Sequence, residues 1–118
     1  MATSIIKSPN SVTSGNATKV SSAISEFEFA QWYQVGNLCI VKFKFTTNAE
    51  ITNTTEVLFS GFPNALAWQI AFCHSVSSGN AQKIIRLRIT TEGTLTNGYT
   101  PGGIPAEQWE GTAVYFTA

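Results

Sequence analysis

A chain of 118 residues has the length of one domain, and at that size it can bury roughly two thirds of its unfolded surface without covalent staples. Only 12% of the residues are charged, against about 25% in ordinary globular domains, and seven basic residues cancel seven acidic ones. Such a surface attracts phosphate backbones weakly and repels itself little, which argues against nucleic acid as a partner and permits self-association.

The opening stretch, MATSIIKSPN, holds one lysine and two consecutive apolar residues before Pro9. That is too little for the apolar segment of a signal peptide. No later run has the apolar length of a membrane span. The expectation is a soluble chain made in the cytoplasm, with no membrane insertion. Residues 1–17 are rich in Ser, Thr and Asn, contain Pro9 and Gly15, and show no apolar period. They read as an extended arm or linker ahead of a single domain spanning 18–118.

From Thr18 the period is two. Phe27 and Phe29 alternate with Glu26 and Glu28, as in a half-buried strand with its carboxylates outward. The runs 31–35 and 38–47 flank Gly36-Asn37, and glycine in the first loop position suits a tight type II′ hairpin. In the second run Cys39, Val41, Phe43 and Phe45 share the face expected to be core, while Leu38, Ile40, Lys42 and Lys44 share the other. Leaving a Leu or Ile in water forgoes about 1.5 to 3 kcal/mol each, so Leu38 and Ile40 are expected to be covered by another sheet or subunit. A short strand, 56–59, then enters the turn Ser60-Gly61-Phe62-Pro63. Trp68, Ile70, Phe72, His74 and Val76 alternate with Gln69, Ala71, Cys73 and Ser75, and the aromatic series is the expected inner face. After a turn at 77–80, Ile85, Leu87 and Ile89 oppose Ile84, Arg86 and Arg88. Glu92-Gly93 marks a further tight turn, the segment 97–105 carries too many Gly and Pro residues for a ladder, and 112–117 closes the chain. Six or more strands and no helical stripe indicate an all-β fold, an antiparallel β-sandwich of jelly-roll-like form with an extended N-terminal arm.

Catalytic material is sparse. The chain has no Asp and one histidine, His74, on the apolar face of its strand and expected as a core or strand-end histidine making one hydrogen bond rather than as a catalytic base. Cys73 and His74 are strand neighbours and point to opposite faces, so they cannot serve one site. A metal site from Cys39, Cys73 and His74 would need ligands from opposite faces, and no metal or cofactor is expected. Both cysteines lie within strands and are expected as free, buried thiols. Glu26 and Glu28 read as members of a cross-strand charge ladder with Lys42, Lys44, Arg86 or Arg88 rather than as a glycosidase pair. The aromatic residues Tyr99 and Trp109 flank the Gly/Pro loop, with Asn97 and Gln108 nearby. Rings and amides in that arrangement fit sugar recognition, and fit structural plugging of the sandwich end equally well.

The run Trp32-Tyr33-Gln34-Val35-Gly36-Asn37-Leu38-Cys39-Ile40-Val41, the turn Phe59-Ser60-Gly61-Phe62-Pro63, the Glu92-Gly93 hairpin and the closing Val114-Tyr115-Phe116-Thr117 together resemble the C-terminal head domains of bacteriophage tail fibres and baseplate receptor-binding proteins, over roughly residues 27–118. The resemblance implies a non-enzymatic β-sandwich head that forms a homotrimer and presents loops to a host cell-surface saccharide or protein. It implies a place in the virion tail beside other tail proteins after synthesis in the bacterial cytoplasm. A threefold interface would cover Leu38 and Ile40. The alternative is a structural adhesion or assembly module that binds only protein.

Overall fold

The computed structural model describes residues 12–76, 83–98, 100 and 103–117. Nine strands follow in chain order: β1 (Thr13–Asn16), β2 (Thr18–Lys19), β3 (Ile24–Val35), β4 (Leu38–Thr47), β5 (Val57–Ser60), β6 (Gln69–Ser75), β7 (Ile84–Ile89), β8 (Leu95–Asn97) and β9 (Gln108–Phe116). They make one sheet in the order β1-β3-β4-β9-β6-β7-β8-β5-β2, and every ladder is antiparallel. The all-β antiparallel class expected from the alternation is the class observed. No helix among the described residues is long and apolar enough to cross a membrane.

The sheet is rolled so that its inner face meets itself. Phe45 of β4 and Phe59 of β5 stand five places apart in the strand order, yet their ring centroids are 5.8 Å apart. One core results, built from β4 (Cys39, Val41, Phe43, Phe45), β7 (Ile85, Leu87, Ile89), Leu58, Leu95 and Trp109 among others. The arm residues from Thr13 onward take part. β1 pairs with β3, Ala17 is buried, and β2 pairs with β5 at the other end of the strand order. A single residue, Ala17, thus carries the chain from one end of the sheet to the other and closes it. Its amide donates to the Ala30 carbonyl at 2.7 Å. The polar sequence of β1 suffices because an edge strand is held by backbone hydrogen bonds, and Gly15 leaves the space that the Trp32 ring fills, an added Cβ there falling 2.6 Å from it.

Strands β4 and β7 face the way their alternation predicts. Strand β6 does not. Ala71, Cys73 and Ser75 point inward, and Trp68, Phe72 and His74 point to solvent, with Phe72 63% exposed. The reason is space. At the β4–β9–β6 junction Gly111 lies opposite both Phe43 and Cys73, and a Cβ on it would come within 2.8 Å of the Cys73 sulfur and 2.9 Å of the Phe43 ring. An interior already filled by Phe43, Phe45 and Trp109 admits only small side chains from β6. The start of β3 also departs from strict alternation, because register shifts between Ile24 and Glu26 and between Phe27 and Phe29 leave Phe27 half exposed, edge-on to Phe59 at 5.2 Å.

Two turns that glycine was expected to make are made by it. Gly36 opens the β3–β4 hairpin at φ 60°, and Gly93, at φ 76°, shapes the turn after β7. The Gly93 carbonyl accepts from the Phe62 amide at 3.0 Å, which ties that turn to the Gly61-Phe62-Pro63 bend. The Tyr115 hydroxyl donates to the Pro63 carbonyl at 2.8 Å and fastens the same bend to β9.

Candidate functional site

The outer face of β3, β4 and β9 carries two cross-strand rows of apolar side chains. Val35, Leu38 and Phe116 form one row; Tyr33, Ile40 and Val114 form the next. All six are exposed, Leu38 at 38% and Ile40 at 40%. Leu66, whose amide donates to the Phe116 carbonyl at 2.8 Å, extends the patch. Leu38 and Ile40 are therefore on the solvent side, where their shared face with Lys42 and Lys44 placed them, and the patch is wider than those two residues indicated. Toward the other end of β4 the same face turns polar. Lys42 sits over the Phe29 ring at 4.8 Å, and Lys44 pairs with Glu28 at 3.4 Å. That pair realises part of the expected charge ladder. Arg88 takes a different partner, the Trp68 ring, with its guanidinium carbon 4.4 Å from the ring centroid.

The residues singled out around the Gly/Pro loop separate. Tyr99 lies outside the described residues. Trp109 is fully buried and donates from its indole nitrogen to the Pro105 carbonyl at 3.1 Å. A ring with no exposed face offers no stacking surface, so Trp109 acts as the plug at this end of the fold rather than as a sugar platform. Asn97 is 1% exposed, and its side chain is spent on the chain itself: Nδ2 donates to the Asn53 carbonyl at 2.9 Å and Oδ1 accepts from the Thr100 amide at 3.3 Å. Gln108 is half-buried and donates to Glu28 at 3.2 Å. Around this plug Thr47 Oγ1 donates to the Pro105 and Glu107 carbonyls, and Glu107 accepts from Ser75 at 2.6 Å and pairs with Lys83. The hydrogen bonds from Lys83 and Ser75 hold the Glu107 carboxyl below its ordinary range.

The groups able to do chemistry are scattered. His74, expected in the core or at a strand end, lies one residue from the end of β6, half exposed beside Glu110 at 3.9 Å, on the outer face of the inverted strand. Cys39 and Cys73 are free and buried. Their cross-strand partners on β9, Tyr115 and Gly111, are four residues apart, a spacing of about 13 Å along a strand, where a disulfide needs Cα atoms within about 7 Å. Burial pushes the Cys73 thiol well up and the Cys39 thiol up, the latter countered in part by a hydrogen bond with Tyr115. Neither has the thiolate character of a nucleophile. Among the described residues no three His, Cys or Glu side chains gather as a metal site.

No family model and no curated protein matches the sequence. The fold is similar to the crystal structure of the receptor binding protein (gp15) of Listeria phage PSA, with a TM-score of 0.61, covering 93% of this chain and 67% of that one. The two chains share an all-β architecture. At 12% identity the likeness is one of architecture, so the resemblance read from turns and alternation has its counterpart in three dimensions, while no individual residue role is carried across.

Proposed function

We propose that the chain is a non-enzymatic head domain of a phage tail fibre or baseplate, that it assembles as a homotrimer, and that it recognises a host cell-surface saccharide or protein. The observation that carries this reading is the fold shared with a receptor binding protein along nearly the whole chain. The apolar rows Val35–Leu38–Phe116 and Tyr33–Ile40–Val114 favour self-assembly, since six exposed apolar side chains in register on three adjacent strands are what a symmetric interface would bury. Leu38 and Ile40 lie at the centre of that interface because β4 runs between β3 and β9. A place in the virion tail, with synthesis in the bacterial cytoplasm and contacts to other tail proteins, belongs to the same reading.

The test is adsorption. Fluorescently labelled protein mixed with a panel of intact bacteria should decorate a subset of strains, and unlabelled protein should compete. Binding to none of the cells, together with capture by purified tail proteins, would favour the purely structural assembly module instead.

A further inference from the structure

We infer that the cleft between Trp68, the β7–β8 face and the Glu92 turn binds a single pyranose ring of a glycan, with Trp68 as its stacking platform. The inference rests on the receptor-binding reading for its biological sense and on the following geometry for its location.

On the outer face of the sheet Ile70, Arg88, Thr96 and Val57 form one cross-strand row over β6, β7, β8 and β5. Just beyond the last β6–β7 pair, Gln69–Ile89, alternation places Trp68 and Thr90 on that same face. A cleft of about 270 Å³ opens there. Thr90, Thr94 and Thr96 line it beside Val57. Thr90 and Thr96 are each 8% exposed, Thr90 and Thr94 share a hydrogen bond of 2.6 Å between their Oγ1 atoms, and Thr96 Oγ1 donates to the Arg88 carbonyl at 3.4 Å. One wall is Trp68, 62% exposed, which is far more than a buried sheet position would leave an indole. The Arg88 guanidinium over that ring fixes its attitude and covers part of one face. Glu92 supplies a carboxylate at the rim, on the turn that Gly93 ties to Phe62.

The set matches a sugar ring in kind. A pyranose has C–H groups on a flat face and hydroxyls around its edge; an indole takes the first, and a guanidinium, a carboxylate and threonine hydroxyls take the second. Size limits the ligand to one ring, because pockets for drug-sized ligands run from about 300 to 1,000 Å³. The cleft beside Lys83, Ile84 and Trp109 is smaller, about 150 Å³, and among its described lining residues no aromatic face is exposed.

The probes are methyl glycosides of glucose, galactose, mannose and N-acetylglucosamine, titrated into the full chain and followed by amide and indole NMR shifts. At least one should shift the Trp68 indole and the amides of Thr90, Thr94 and Thr96 saturably. Trp68→Ala, at an exposed position that leaves the core intact, should weaken that binding by about tenfold or more, and Glu92→Gln should weaken it less. Shifts that persist in Trp68→Ala, or no shift at the cleft with any of the four glycosides, would overturn the assignment. The two readings fail separately. Wild-type protein that decorates cells but shifts with no glycoside defeats the cleft and leaves receptor binding standing. Glycoside shifts at the cleft with no cell binding do the reverse.

Discussion

Gly36 and Gly93 have the same left-handed backbone and very different surroundings, so alanine at the two positions should have unequal costs. At Gly36 (φ 60°) an added Cβ meets nothing within 4 Å; at Gly93 (φ 76°) it falls 2.1 Å from the Phe62 carbonyl oxygen and 2.9 Å from Asn64 Oδ1. The backbone conformation alone costs an L-residue about 1 to 2 kcal/mol, and that is the whole expectation for Gly36→Ala. Gly93→Ala adds a clash with fixed backbone, about 1 to 3 kcal/mol by analogy with overpacked cores. Relieving it moves the turn away from the Phe62 amide and loses a hydrogen bond with a net value of about 1 kcal/mol. The total for Gly93→Ala is about 3 to 6 kcal/mol, a large share of the roughly 5 to 15 kcal/mol that holds a domain together. In thermal unfolding followed by circular dichroism, the two variants should melt about 10 °C apart or more, with Gly93→Ala the lower. Midpoints that coincide would mean that the turn yields without resistance, and the argument from the Phe62 carbonyl would be wrong.

Ile40→Lys should convert an oligomer to a monomer by light scattering while shifting the melting temperature little, because Ile40 is 40% exposed within the chain; unfolding of the variant would instead place Ile40 in the monomer's own core. Acid sensitivity should depend on Glu107. Its folded pKa is lowered by Lys83 and Ser75, so the stability it contributes is present above the unfolded carboxyl value, near 4.5, and is lost as pH falls through the lower folded value. Urea midpoints of wild type and Glu107→Gln should differ at pH 7 and converge toward pH 3, and a gap independent of pH would refute the role of that carboxylate. Cys39 and Cys73 should resist thiol reagents in the native protein and react on denaturation, and rapid native labelling of Cys73 would contradict its burial.

Where one face of a strand was clearly more apolar, alternation read from the sequence found the inner side: Ile85, Leu87 and Ile89 of β7 and the Cys39 to Phe45 series of β4. It failed at β6, where the bulkier series is outside. Alternation separates two faces but does not say which looks inward when the interior is already full, and the limit set by Phe43 and Gly111 exists only once β4, β9 and β6 are neighbours. The arm was illegible for a related reason. β1 contributes backbone pairing and a space beside Trp32, neither of which leaves an apolar period. Of the loop-flanking residues, Trp109 and Asn97 have polar groups that the chain itself satisfies, and those partners, Pro105 and Asn53, become visible only in the folded arrangement. Trp68 was hidden by the β6 inversion, and its contact with Arg88, which pairs in register with Ile70 two residues on, exists only once β6 and β7 lie side by side.

The passage through Ala17 bears on how the molecule breathes. One short ribbon covers the outer edge of β3 and the outer edge of β5, so peeling it away bares both at once. Amide protons of Thr13 to Lys19 should then exchange with solvent at a common rate, as one opening event, with no intermediate in which just one of the two borders has come undone.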